Sequence, residues 1–327
     1  MTPMHDSPLR LAIAGAAHPH VSYALDELAH RDDVLLVGVS DPDPTLVAAS
    51  HTDHRALLAE RRPDVVVVAG VYADRAEVVV DALRSGAHVL ADKPLCTTLS
   101  DLDLIEETAA ETGRVVSLML EKRFYPETLA ARALLDSGEL GSLVLVAASS
   151  PHRLNRATRP AWFLRRETYG GVIGDLAVHD VDLVLALSGA TEGTVTAIGD
   201  RNAEFPLHGA VLLRAGDVAA TIETSWLTPA ASPWHGDYRM RLTGTEGTAE
   251  LLWARGELTA TTNDRPLWTV PLPEGGRPAA DALVAFATGR VPRVGTAESV
   301  TATRIALLAQ DSADNGGVVH RWTGGPR

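Results

Sequence analysis

Asp64-Val65-Val66-Val67-Val68-Ala69 is a short run that stays apolar after its first residue, and its reading decides the fold of the first part of the chain. A half-buried strand alternates apolar and polar side chains. This run offers apolar side chains to both faces, which fits a strand covered on both sides. Working outward, similar runs stand at Leu9–Ala14, Val34–Val39, His88–Ala91 and Val115–Leu120. Amphipathic stretches such as Val21–Ala29, Ala73–Leu83 and Leu102–Glu111 lie between them. Five strands alternating with helices predict a doubly wound parallel sheet, an α/β Rossmann-type domain, over residues 1–120.

The pattern changes after about residue 140. Strands now follow one another at Leu143–Ala148, Val195–Gly199, Gly209–Arg214, Ala219–Trp226, Tyr238–Thr243 and Thr248–Trp253. Turns such as Ala215-Gly216-Asp217 and Gly244-Thr245-Glu246-Gly247 link them as hairpins. A second domain over residues 121–327 is therefore expected to be α+β, with an open, mainly antiparallel sheet. One strong helix at Val172–Leu187 precedes most of that sheet, and helical stretches near Asp281–Thr288 and Ala297–Ala313 close the chain.

A length of 327 residues suits two domains, and 46% apolar with 22% charged residues fits an ordinary globular protein. The net charge of −13, without a long lysine/arginine block, argues against nucleic acid or an anionic membrane as partner. With Cys96 as the single cysteine, neither an intramolecular disulfide nor a cysteine-rich metal site can form. Met1–Arg10 lacks the pattern of a leader, and no run approaches the ~20 apolar residues of a spanning helix, so a soluble, cytoplasmic protein is expected.

Three places carry chemistry. The first strand runs into Gly15-Ala16-Ala17-His18-Pro19-His20, where a glycine-rich turn would let a pyrophosphate approach a helix N-terminus. Only Gly15 matches that pattern, with Ala17 and His20 at the second and third glycine positions; a tight turn that binds nothing is the alternative. Asp41 follows the second strand, where a carboxylate accepts hydrogen bonds from ribose hydroxyls and repels a 2′-phosphate, favouring NAD over NADP. The alternative is a solvated residue of the turn Ser40–Pro44. No acidic or thiolate partner lies near His18 and His20 in sequence, so no metal is expected; His18 is read as capping the helix or lining the pyrophosphate pocket.

In the second place, Asp92-Lys93-Pro94 ends the strand His88–Ala91. Ligands of an open α/β sheet bind outside the carboxyl ends of its strands, so Lys93 is placed to donate to a substrate hydroxyl. A surface lysine at a strand end is the bland reading. Pro94 restricts Lys93 to extended geometry and is a candidate cis site. In the third place, Asp175, His179 and Asp182 fall within roughly 60° of one another on an otherwise apolar helix. An ionisable stripe there lines a wet cleft or forms a paired structural network.

At these residues the chain resembles the glucose–fructose oxidoreductase/inositol dehydrogenase (Gfo/Idh/MocA) family. The family's Glu-Lys-Pro stands here as Asp92-Lys93-Pro94. Its glycine run followed by Asp, His and Asp is similar to Gly170-Gly171, Asp175, His179 and Asp182. Arg123-Phe124-Tyr125-Pro126 through Gly138-Glu139-Leu140-Gly141 and the closing helix extend the resemblance over most of the chain. It implies reversible hydride transfer between a nicotinamide and a hydroxyl-bearing carbon of a sugar, cyclitol or related polyol, in a homodimer or homotetramer. It further implies that His179 exchanges the hydroxyl proton, Lys93 hydrogen-bonds the same oxygen, and Asp175 holds the substrate. The chain departs from the pattern at the missing glycines, at Asp92 in place of glutamate, and at Arg75 where histidine is common.

Substrate contacts are expected from Arg123 and Asp182 and from the segment His152–Arg166, where Arg156 could bind an acidic group and Trp162 could pack on a ring. A solvated or inter-subunit arginine loop is the alternative. Trp234 and His235 are read as a further wall of the pocket. Two other functions stay in play: transient use of NAD during sugar elimination or hydrolysis, and non-catalytic dinucleotide binding, against which Lys93, Asp175 and His179 together argue.

Overall fold

The computed structural model describes residues 7–43, 47–200 and 205–324. The first half of the chain runs β1 (Leu9–Ala14), α1 (Val21–Leu28), β2 (Val34–Ser40), α2 (His54–Arg61), β3 (Val65–Val68), α3 (Arg75–Arg84), β4 (His88–Ala91), α4 (Leu99–Thr112) and β5 (Val116–Leu118). Then come α5 (Pro126–Asp136), β6 (Leu143–Pro151), α6 (Arg166–Tyr169) and α7 (Val178–Ser188), followed by β7 (Glu192–Gly199), β8 (His208–Ala215), β9 (Val218–Ser225) and β10 (Arg239–Gly244). The chain closes with β11 (Gly247–Leu252), β12 (Glu257–Thr262), β13 (Trp268–Thr269), α8 (Pro278–Ala287), α9 (Thr296–Asp314) and β14 (His320–Thr323).

Two compact units result. The first comprises Met1–Leu120 together with Glu167–Gly170 and Arg277–Thr303. Its sheet is parallel, in the order β2-β1-β3-β4-β5. All four valines of β3 are fully buried, as an apolar run facing both sides requires. Leu11, Ile13, Val65 and Val67 form one core with Val21 of α1 and Leu283 and Phe286 of α8. Helix α3 packs beside α4 and against β3 and β4. Helix α4 begins at Leu99, three residues before the expected start, because Thr98 Oγ1 accepts the Asp101 N–H at 3.1 Å and caps it.

The second unit comprises Glu121–Arg166, Gly171–Gly276 and Arg304–Arg327. Its nine-stranded sheet runs β13-β12-β11-β10-β6-β9-β8-β7-β14 and is mostly antiparallel, with β6 and β9 paired in parallel. The mainly antiparallel sheet expected from the sequence is thus found, with β6 in its middle. Alternate residues of β8 and β9 are buried under α7, and the others face the open side. A shallow depression of about 660 Å³ lies on that open side, lined by Ala147, Thr196, Ile198, Leu212, Arg239 and their neighbours. None of the candidate residues lines it. Among the described residues no helix is long and apolar enough to cross a membrane.

The expected regular helix from Val172 is also corrected. Ile173–Ala177 form a π turn, and regular α-helix begins at Val178. The extra residue in that turn rotates Asp175 out of the phase that simple α periodicity predicts.

Candidate active site

In the first unit the strand order reverses between β1 and β3, and ligands of open parallel sheets bind at that point. Gly15 leaves β1 with φ +83°, and a Cβ there would stand 2.8 Å from Gly70 Cα, just past β3. The two strand exits therefore touch, and only glycine fits at Gly15. Asp41, buried at the end of β2, accepts the Ala16 N–H at 2.5 Å on Oδ2 and the Asp43 N–H at 2.8 Å on Oδ1. It braces the turn through one lone pair of each oxygen, and each oxygen keeps a second. The strand exits, the start of α1 and Asp41 fit a dinucleotide. Ala17 is half-buried and His20 partly exposed in the turn that glycines usually line.

The histidines do something the sequence did not suggest. The N-cap residue of α1, His20, makes no cap bond with its own side chain; His18 Nδ1 accepts the His20 N–H at 3.4 Å, and both histidines turn to Asp92. His18 Nδ1 lies 3.0 Å from Asp92 Oδ2, and His20 Nδ1 lies 2.8 Å from Oδ1. No acid lies near them in sequence, and Asp92 reaches His20 across 72 residues of chain. The two Nδ1 atoms and the carboxylate lie within 4.8 Å of one another, a spacing open to a metal ion. Arg75, however, places its own charge on that carboxylate, with Nη2 at 2.9 Å from Oδ2. Burial opposes ionisation of Asp92, but the charges of His20, His18 and Arg75 hold its carboxyl well below the usual carboxylate range. Burial pushes the His18 imidazole down to about 4 despite the adjacent carboxylate.

Arg75 is fully buried and spends its other donors on backbone. Nε donates to Gly70 O at 3.0 Å, and Nη1 donates to Asp92 O at 2.8 Å and Pro94 O at 2.7 Å. Its guanidinium stands 4.4 Å over the Tyr72 ring, which stacks on Tyr169. Lys93 follows Asp92 at the carboxyl end of β4 and is 5% exposed, and the Lys93–Pro94 peptide bond is cis. Lys93 and Lys122 are the only lysines of the chain; the remaining basic side chains besides histidine are arginine.

In the second unit the turn Glu121–Phe124 lies against α7. Three consecutive residues each meet a partner there. His179 Nε2 lies 3.6 Å from Glu121 Oε1. Lys122 Nζ donates to Asp180 Oδ1 and to Ser150 Oγ, both at 2.7 Å, and Ser150 Oγ donates to Asp180 Oδ2 at 2.5 Å. Arg123 grips Asp182 with two bonds of 2.6 Å. Asp175 sits buried in the π turn, two residues after Ile173, whose N–H is held by Gln310 Oε1 at 3.0 Å. Gly171 is required at φ +127°, because a Cβ would fall 2.3 Å from the same Oε1. Arg123 and Asp182, both expected at the substrate, are thus joined to each other.

The arginine segment is likewise engaged. Arg159 lies over Phe163 and Trp226 at 4.3 and 5.0 Å, and Arg153 donates to Ser232 O and Trp234 O. Trp162 packs edge-on against Phe163, Arg255 lies over Trp234 at 5.4 Å, and His235 meets His152. Arg156 is exposed on a short 3-10 turn. Sequence reading missed Glu121, Lys122 and Asp180. Lys122 had a usable signal, as the only lysine besides Lys93; Glu121 had none.

Comparison with known proteins adds the family. A family model described as "Oxidoreductase family, NAD-binding Rossmann fold" matches residues 9–120, and one described as "GFO/IDH/MocA C-terminal domain" matches residues 128–250. The D-glucoside 3-dehydrogenase of Escherichia coli is 30% identical over 202 residues, 57% of this chain and 56% of its own length. The chain thus spans about half the length of that relative. The D-xylose 1-dehydrogenase (NADP+) 2 of Haloferax volcanii is 26% identical, with 89% of this chain and 90% of its own covered. An inositol dehydrogenase homolog from Azotobacter vinelandii, solved with NAD+, has a TM-score of 0.83 at 21% identity, covering 98% of this chain and 99% of its own.

Proposed function

The chain belongs to the Gfo/Idh/MocA family of NAD-binding oxidoreductases, and on that premise we propose that it is an NAD-dependent dehydrogenase of a sugar, cyclitol or related polyol. The observation that carries this reading is Lys93. Lys93, one of two lysines in the chain, is buried at the carboxyl end of β4, which speaks against a solvent-facing strand-end residue. A flexible ammonium with three donors suits a shifting alkoxide better than a planar guanidinium does.

The bound nicotinamide supplies the hydride acceptor. Lys93 donates a hydrogen bond to the substrate hydroxyl oxygen and stabilises the negative charge that develops there. His179 takes the hydroxyl proton at Nε2, and the Glu121 carboxylate near that atom favours the imidazolium that forms. Asp175 orients the substrate, a role that follows from its place in the family's motif. Gly15, Ala17, His18 and His20 line the dinucleotide's turn, and Asp41 accepts its ribose hydroxyls. A carboxylate there disfavours a 2′-phosphate, so NAD is preferred over NADP. Dehydrogenases of glucosides, scyllo-inositol and xylose among the relatives support a polyol as the substrate class.

The test follows NADH at 340 nm with myo-inositol, D-xylose, D-glucose and methyl glucosides as probes, each with NAD+ and with NADP+. Sustained accumulation with one of them supports net dehydrogenation. Lys93→Met and His179→Ala should then each lower turnover at least ~10²-fold in folded protein. Near-wild-type turnover in both variants removes the mechanism.

A further inference from the structure

We propose that Arg75 is a positioning residue for Lys93, acting as a clamp on the two backbone carbonyls that flank it. The inference rests on the reading of Lys93 given above. One nitrogen, Nη1, bonds Asp92 O and Pro94 O, the carbonyls immediately before and after the lysine. The same guanidinium bonds the Asp92 side chain through Nη2 and, through Nε, the carbonyl of Gly70 beyond β3. Four of its contacts therefore join the exits of two neighbouring strands around one residue. With side-chain exposure of 0% at both Arg75 and Asp92, water does not compete for these bonds. A planar fork with fixed N–H directions holds its acceptors in one arrangement, which a point charge does not.

The clamp also gathers departures that stood apart in the sequence. Arginine where histidine is common, aspartate where glutamate is usual, and histidines in a turn that glycine usually fills all meet at the Asp92 carboxylate. An arginine reaches further than a histidine, and an aspartate reaches less far than a glutamate. The exchange at positions 75 and 92 is therefore complementary in length. His18 and His20 take the remaining room on the carboxylate.

The chain offers a direct readout, because [6-13C]lysine labels only Lys93 and Lys122. Two ε-carbon resonances result, and Lys93→Met assigns them by removing one. Removing Arg75 alone would leave Asp92 buried and uncompensated, so the informative variant is the neutral pair Arg75→Met with Asp92→Asn. We expect the Lys93 resonance to shift or broaden in that pair while Lys122 holds still. We also expect kcat to fall ~10- to 100-fold, the usual range for outer-shell positioning partners, with NADH affinity by fluorescence titration within ~3-fold.

Arg75→Lys, which keeps the charge and the fold, adds a third labelled lysine that is assigned by combining the change with Lys93→Met, and it should still move the Lys93 signal. An unchanged Lys93 resonance and kcat within ~2-fold in the neutral pair would overturn the clamp, as would an unmoved signal in Arg75→Lys. The resonances need no substrate. Full turnover in Lys93→Met would sink the proposed mechanism and leave the clamp to its own test.

Discussion

Buried charge is wired differently at the carboxyl end of β4 and along the Glu121–Phe124 turn. At β4 one carboxylate, Asp92, collects His18, His20 and Arg75, so every member shares a partner with the others. Along the turn, Glu121, Lys122 and Arg123 each face a separate partner in His179, Asp180 and Asp182. A hub fails as a unit, because each change alters what all the other members see. A ladder fails rung by rung. The difference suits the two tasks: the hub fixes one lysine against the sheet, and the ladder fastens a whole segment along a helix.

The largest expected effect tests the ladder. Lys122→Met leaves Asp180 buried without its cation and should destabilise the protein by ~3–5 kcal/mol in urea unfolding. Lys122→Met combined with Asp180→Leu should recover most of that loss. If the double variant is as unstable as the sum of the two single changes, the rung is not a pair.

The hub predicts a pH effect. The His18 imidazole sits at about 4 when folded, against an unfolded value of 6.5. The unfolded chain therefore binds the extra proton first, and stability falls as pH drops from 6.5 towards 4. The full effect is ~3 kcal/mol, read as a falling thermal midpoint. His18→Gln should flatten the slope in that window. Asp92 acts lower: its depressed carboxyl stabilises the fold above its unfolded value near ~4, and that contribution disappears only below it. A slope unchanged in His18→Gln would break the hub assignment.

Smaller effects follow for single partners. Glu121→Gln should lower kcat by ~10-fold, since the imidazolium of His179 loses its neighbouring carboxylate. A kcat within ~2-fold of wild type would leave Glu121 a bystander. Asp41→Asn should shift the NADP-to-NAD preference by ~10-fold or less, measured as the ratio of kcat/KM values. No change in that ratio would remove Asp41 from cofactor choice.

What could be read in advance follows from sequence distance. The four valines of β3 announced a strand covered on both faces because side-chain period is a local property. Lys93 was legible from its place after an apolar run. The hub was not, because its donors come from 17 to 74 residues before Asp92 and meet only when the parallel strands align. The π turn was missed for another reason: one extra residue in a turn leaves the apolar composition of Ile173–Ala177 unaltered while changing its phase. Asp182 stood in an ionisable stripe that could line a cleft or be paired, and its partner, 59 residues away, was not in view.

The scarcity of lysine has a consequence in the test tube. Both lysines are about 95% buried, so the described surface presents guanidinium groups and no ε-amine. Acylating reagents, reducing sugars and amine-directed cross-linkers therefore find almost nothing to react with apart from a terminal amine. Coupling to activated esters, routine for proteins rich in surface lysine, should be inefficient on the described surface. Arginine-directed dicarbonyls are the reagents that would footprint its surface.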